Sequence, residues 1–250
     1  MAPNPAVTYD TIGRGYRQHR RSDPRIAAQL ARALGGARTV VDVGAGTGSY
    51  EPRDRAVVAV EPSPVMAAQR APGTAPVVHA AAEHLPFADG SFDAAMAVLT
   101  IHHWSDVEGG LREMGRVARR VAVLTFDYEA HERFWLFTDY VPEVCTLALA
   151  RPPRPGVVAE LLGAHDIEPV PVPADCIDGF NWAFWCRPER YLEPDVRACM
   201  SGLASLPDAL VADRMERLRA DLADGTWQAR HGHLAHRDSI DGGFRLVVRR

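Results

Sequence analysis

The 250-residue chain contains no lysine, and all 28 of its basic residues are arginine. A lysine cannot therefore serve as a catalytic base, and the bias, with abundant Ala, Pro and Gly, suggests a GC-rich bacterial genome. Cysteine is scarce. Cys145, Cys176, Cys186 and Cys199 include no Cys-x-x-Cys pair, so buried free thiols are expected, with a thiolate site as the less favoured alternative. No run approaches the ~18 apolar residues of a membrane span, and MAPNPAVTYD lacks the basic and apolar regions of a secretory leader. The expectation is a cytoplasmic protein with no membrane partner. Excess positive charge is missing too. The formal net charge is -4 and the arginines are scattered, so a nucleic-acid partner is not expected. With 47% hydrophobic and 24% charged residues the composition is that of an ordinary globular chain, long enough for one domain with an elaboration.

The most informative stretch is VVDVGAGTGSY at 40–50 followed by VVAVEPSP at 57–64. A short apolar strand runs into a turn where Gly44, Gly46 and Gly48 leave no Cβ in the way of a ligand. A second strand ends in Glu61, at the sheet edge where ligands of open parallel sheets lie and where a carboxylate can take both hydroxyls of a ribose. The pair reads as a nucleoside site. A dinucleotide fingerprint requires Gly-x-Gly-x-x-Gly, but the third glycine comes one residue early and Ser49 stands in its place, which disfavours NAD.

Alternating apolar runs and helical pieces predict a parallel, doubly wound α/β sheet. Strands are expected at 39–43, 57–60, 77–80, 92–100 and 120–126, and helices at 9–35, 64–70 and 107–117. Between Gly48 and Val57 only eight residues are left for a crossover that normally takes about a dozen, and Pro52 argues for at most one helical turn. That would leave one sheet face open to the N-terminal segment or to a partner subunit, and a homodimer is allowed. Residues 128–150 are aromatic-rich, RPPRP at 151–155 is a stop, and a short helix at 157–163 and strands at 167–172 and 243–249 follow. The intervening stretch, 173–242, is too long for a structureless loop and should form a helical cap.

GAGTG after the acidic strand residue Asp42 resembles the first motif of the class I S-adenosylmethionine (SAM) dependent methyltransferases. Ala82–Glu83 and LPFADGSFDAAMAVLTIHHW at 85–104 follow in the order of that family's later motifs. The resemblance is closest to the small-molecule branch of the ubiquinone and menaquinone biosynthesis enzymes, and covers about the first half of the chain. It implies a Rossmann-like seven-stranded sheet of order 3-2-1-4-5-7-6 with the last strand antiparallel. The divisions implied are a lid at 1–38, a SAM-binding core at 39–127, a cap insertion at 128–165, and strands six and seven with a second cap segment at 166–250.

The same resemblance implies SAM as cofactor and S-adenosylhomocysteine as product. Asp42, Gly44, Ala45, Gly46 and Gly48 would lie along the methionine moiety, Glu61 would hold the ribose, and Ala82 and Glu83 would border the adenine. Pro62, Met66 and Leu99 would complete the site. Tyr9 and Tyr16 fit the N-terminal lid pattern Y-D-x-x-x-x-x-Y, and for Tyr16 contact with the sulfonium by cation-π attraction is favoured, whereas Tyr9 competes with simple packing. Arg20 and Arg21 could pair with an anionic group of donor or substrate.

Candidate bases follow strands four and five: His102, His103 and Asp127. Each has a structural rival. The histidines could shape their loop, Asp127 could cap a helix, and Trp104 fits packing better than a substrate platform. Phe134, Trp135, Phe137, Tyr140, Phe180, Trp182, Phe184 and Trp185 suggest cap core together with a pocket for an apolar or aromatic small molecule. His231, His233 and His236 lack a carboxylate or thiol at ligand spacing, and no metal is expected. The expected activity is methyl transfer to an O, N or activated C of a small metabolite, of specialised metabolism by analogy. The rivals are a non-catalytic SAM-fold binding or regulatory protein and, less favoured, a nucleic-acid methyltransferase, for which LTIHHW stands where an Asn/Asp-Pro-Pro-Tyr motif is usual.

Overall fold

The structure is a computed structural model that describes residues 19–146 and 153–250. Tyr9 and Tyr16 lie outside the described residues. The first described helix, α1 (Pro24–Leu34), begins where the Asp23 carboxylate accepts from Arg25 N–H and Pro24 occupies the first turn, a position that needs no donor. Its buried residues Ile26, Leu30, Ala33 and Leu34 share one stripe, and it stops at Gly35 with φ 57°.

Strands β1 (Thr39–Val43), β2 (Ala56–Val60), β3 (Val77–Val78), β4 (Phe92–Val98), β5 (Ala118–Phe126), β6 (Asp166–Pro169) and β9 (Phe244–Arg249) form one sheet of order β3-β2-β1-β4-β5-β9-β6. The first five pair in parallel, and β9 is antiparallel to both β5 and β6. With β9 counted as the seventh strand, this is the expected order. Alternation along the strands sends Val40, Ala94, Met96, Ala122, Leu124 and Leu246 to one core layer and Val41, Val43, Ala95, Ala97, Val123 and Val247 to the other. The first layer packs on α1 and the cap. The second packs on α3 (Val107–Val117) and α6 (Pro155–Leu162) through Leu111, Met114, Val158 and Leu162.

β3 ends at Val78, short of the expected 80, and β5 begins at Ala118, ahead of the expected 120; two further strand ends differ for identifiable reasons. β4 stops at Val98 because Leu99 turns to φ 51°, a left-handed value rare outside glycine. β6 stops at Pro169, and Val172–Pro173 (β7) pairs with Ser239–Ile240 (β8) in a separate two-stranded sheet. Prolines at 169, 171 and 173 remove every second donor, which confines this segment to edge pairing.

The short crossover after Gly48 contains no helix, in keeping with its length. It is stapled instead. Glu51 and Arg70, on the segment after α2 (Pro64–Ala68), form a buried ion pair, and Arg70 also donates to the carbonyl of Gly46 at 3.1 Å while Glu51 accepts from Ala75 N–H. Tyr50 is buried in the same core layer as Ile26 and Leu30.

The aromatic segments on either side of α6 make one cap. Phe134 stacks on Trp182 at 4.2 Å, and the Trp135 indole donates to the Trp185 carbonyl at 2.8 Å. The cap helices are α4 (Tyr128–His131), α5 (Glu143–Thr146), α7 (Pro194–Arg197), α8 (Ser201–Ala204), α9 (Asp208–Ala223) and α10 (Thr226–His231). Among the described residues no helix is long and apolar enough to cross a membrane.

Candidate functional site

A cavity opens at the C-terminal ends of β1, β2 and β4, where the parallel strands leave their loops. Its floor is backbone. Gly44, Gly46 and Gly48 all have positive φ, and a Cβ at Gly44 would stand 2.2 Å from Thr100 Oγ1, so only glycine fits there. Asp42, Gly44, Ala45, Gly46, Glu61, Pro62, Met66, Ala82, Glu83, Leu99 and His103 all line the cavity. Gly48 does not. It closes the turn behind the floor, donating to the Ala45 carbonyl.

Glu61 is 7% exposed. One carboxylate oxygen accepts from Gly46 N–H and the other from Ser63 N–H, each at 2.8 Å. These bonds tie β2 to the glycine turn and leave lone pairs directed elsewhere, since a carboxylate offers about four acceptor sites. Burial raises its pKa, and the two N–H groups oppose that shift. Asp42 is pushed well above the ordinary carboxylate range by burial and by the nearby Glu51 charge, with Arg70 pulling the other way.

Glu83 has a second duty. Burial opposes its ionisation, but one oxygen accepts from Asp106 N–H and from both the N–H and hydroxyl of Ser105, and the balance lowers its pKa. It thereby fixes the loop that carries Trp104. The indole of Trp104 lies against Gly110 of α3, where a Cβ would be 2.5 Å from the ring, and beside Ala82. Trp104 borders the cavity as well as packing.

A second cavity adjoins the first, and Arg20 and Leu99 line both. The strained Leu99 backbone, anchored by its N–H to the Leu124 carbonyl at 2.8 Å, stands at the wall between them, a place where such strain tends to be functional. Of the eight cap aromatics, Phe137 and Phe180 reach this second cavity, and Trp135, Trp182, Phe184 and Trp185 are buried cap core. His102 and His103 diverge. Their rings are 3.8 Å apart, yet His102 lines the second cavity and His103 the first. Burial, with help from the Arg20 charge, drives the His103 pKa down to about 4. Asp127 lines neither cavity and caps α4 by accepting from Glu129 N–H at 3.0 Å.

Arg20 is held at the junction by a buried network. Its Nε donates to Asp178 at 2.6 Å, the Tyr50 hydroxyl donates to the other oxygen of Asp178 at 2.8 Å, and Asp23 N–H reaches the Tyr50 oxygen at 3.4 Å. Asp178 is fully buried. Tyr50, Asp178, Thr100 and Asn181 carry no local sequence signal for the site, because they meet only through the fold. The four cysteines are free thiols, and the described residues contain no cluster able to hold a metal ion. His231 instead pairs with Asp139 at 2.9 Å between Trp135 and Trp227.

Comparison with known proteins agrees with this geometry. Residues 41–126 match the family described as "Methyltransferase domain". A solved structure from Anabaena variabilis, described as "Putative methyltransferase from antibiotic biosynthesis pathway", is 34% identical over 93% of this chain and 99% of its own, with a TM-score of 0.86. YcgJ of Bacillus subtilis (16% identical, 89% of this chain and 95% of its own, TM-score 0.51) and the [4+2]-cyclase SpnF (18%, 90% and 79%, TM-score 0.50) share the fold. The Escherichia coli protein YafE, itself uncharacterised, is 47% identical over 38 residues, so the chain spans only 18% of its length.

Proposed function

The chain belongs to the class I methyltransferase family, and on that premise we propose that it transfers a methyl group from SAM to an O, N or activated C of a small apolar or aromatic metabolite. The observation that carries this is Glu61, buried at the edge of β2 beside a cavity floored by glycine backbone. The residues fit the donor. Glu61 would hold the ribose, the backbone at Gly44, Ala45 and Gly46 would run beneath the methionine part, and Ala82, Pro62, Met66 and Trp104 would enclose the adenine. When bound, SAM supplies a methyl carbon already activated for in-line displacement and a neutral thioether leaving group. The protein's part is to align the acceptor and receive its proton if it has one.

The second cavity is the acceptor site in this reading. It meets the first at Leu99 and Arg20 and is lined by His102, Phe126, Phe137, Phe180 and Phe244. With its pKa near 4, His103 is neutral at pH 7 but a weak base. His102, on the acceptor side, is the better placed proton acceptor, and His103 orients the loop between the sites. A small-molecule acceptor is supported over nucleic acid by the net charge of -4. An antibiotic-type acceptor is supported by the Anabaena relative alone.

Isothermal titration with S-adenosylhomocysteine tests the donor site. Wild type should bind it, and Glu61→Gln should weaken binding about 10- to 100-fold, as expected for a charge-assisted bond replaced by a neutral one. Failure of wild type to bind it sinks the proposal. Because SpnF carries a cyclase activity on this fold, turnover is read separately, as S-adenosylhomocysteine released from SAM in the presence of candidate acceptors.

A further inference from the structure

The acceptor cavity has a chemistry of its own. Along one wall runs a line of rings. His102 meets Phe126 edge-on at 5.2 Å, Phe126 lies 6.2 Å from Phe244, and Phe244 lies 4.8 Å from Phe180. Val144, Cys145, Cys199 and Met200 also line the cavity. Burial raises the Cys199 thiol above its ordinary pKa, so this residue adds no negative charge at neutral pH. Among the described residues no aspartate or glutamate lines the cavity, and its permanent charge is the Arg20 guanidinium, which the buried Asp178 carboxylate balances.

Into this apolar setting the fold places one amide. Asn181 lines the cavity, and its Oδ1, shut off from water, has no hydrogen-bond partner among the described residues. Its backbone is not loose, because its carbonyl accepts from the buried Tyr191 hydroxyl at 2.6 Å. Gly202 of α8 and Val144 of α5 close around the side chain. A Cβ at Gly202 would come within 3.0 Å of Val144 and 3.7 Å of the Asn181 Nδ2. Buried amide oxygens are almost always paired, and this one would gain a partner if the side chain turned toward the cavity to meet a donor on a bound molecule.

We propose that the acceptor is an aromatic molecule bearing an uncharged O–H or N–H, that Asn181 accepts this hydrogen bond and determines specificity for it, and that ammonium-bearing acceptors are rejected. The inference rests on the second cavity being the acceptor site. The ring wall offers edge and face contacts to a planar molecule. An ammonium group would enter without a carboxylate free to offset its lost hydration, since Asp178 is already paired with Arg20.

The test uses protein saturated with S-adenosylhomocysteine and three matched probes, 4-ethylphenol, 4-ethylanisole and 4-ethylbenzylammonium, with affinities read by saturation-transfer NMR titration. Wild type should prefer the phenol over the anisole by about tenfold or more and bind the ammonium compound weakest. Asn181→Leu, similar in volume, should bind phenol and anisole equally. Asn181→Asp, which keeps the shape if the leucine variant fails to fold, should raise the relative affinity for the ammonium probe. A phenol preference that survives Asn181→Leu, or an anisole that binds wild type as well as the phenol, overturns the proposal. So does the absence of binding by any ring probe to protein that binds S-adenosylhomocysteine, whereas failure of S-adenosylhomocysteine itself to bind strikes at the methyltransferase reading instead.

Discussion

The two cavities share Arg20 and Leu99 yet are built by opposite means. The first is made largely of backbone, with a turn of three positive-φ glycines and a carboxylate held by two N–H groups. Its residues lie close together in the chain, at the ends of adjacent parallel strands. The second is made of side chains drawn from the loop after β4, from β5, the cap and β9, far apart in sequence. Backbone sites tolerate little change because any Cβ intrudes, whereas side-chain sites can be reshaped one residue at a time. A common backbone cavity can therefore be combined with many forms of the second.

The comparison is tested most severely at Gly44. Alanine there would have to adopt φ near 72° with its Cβ 2.2 Å from Thr100 Oγ1, and strain with overpacking should cost about 3 kcal/mol. S-adenosylhomocysteine affinity measured by calorimetry should fall at least about 100-fold. An alanine variant that binds normally would refute the backbone floor. A smaller effect is expected at the seam between the halves. Tyr50→Phe leaves the buried Asp178 one hydrogen bond short, which should lower unfolding stability in urea by about 1–3 kcal/mol. No change would mean that Asp178 is satisfied by other means.

The smallest effect is in pH dependence. His103 stays neutral in the fold down to about pH 4, whereas the unfolded chain takes up its proton near pH 6.5. Its contribution is therefore complete above that value and lost as pH falls from about 6.5 to 4. Cavity access by water discounts this to about 1–2 kcal/mol. Glu61 and Asp42, whose pKa values are raised, act with the opposite sign, their contributions fading as pH rises through their folded values. The measurement is thus a difference between wild type and His103→Gln in urea unfolding across that range. Identical pH profiles would remove the buried, neutral state of His103.

Legibility followed the same division. Strands 39–43 and 57–60, the glycine turn, Glu61, and the Ala82–Glu83 pair are local patterns, and the fold puts them at one edge as expected. The helix at 107–117 was legible to the residue, since Leu111, Met114 and Val117 mark its buried face. The end of β4 was not, because nothing in AVLTIHH announces a left-handed leucine. The cap aromatics were recognisable as a group, but which of them face a cavity depends on how two segments separated by α6 stack on each other. The roles of Asp127 as a helix cap and of His231 as a partner of Asp139 turn on single hydrogen bonds.

By itself the sequence determined the parallel α/β core and the edge that joins the glycine turn to Glu61, because alternation of apolar residues, glycine freedom and a strand-terminal carboxylate are properties of a few neighbouring residues. Only the tertiary structure decided that Tyr50 and Asp178 join across 128 residues to hold Arg20 between the cavities, and that the Asn181 amide stands beside ring-lined space. Those contacts form only when the cap closes on the sheet.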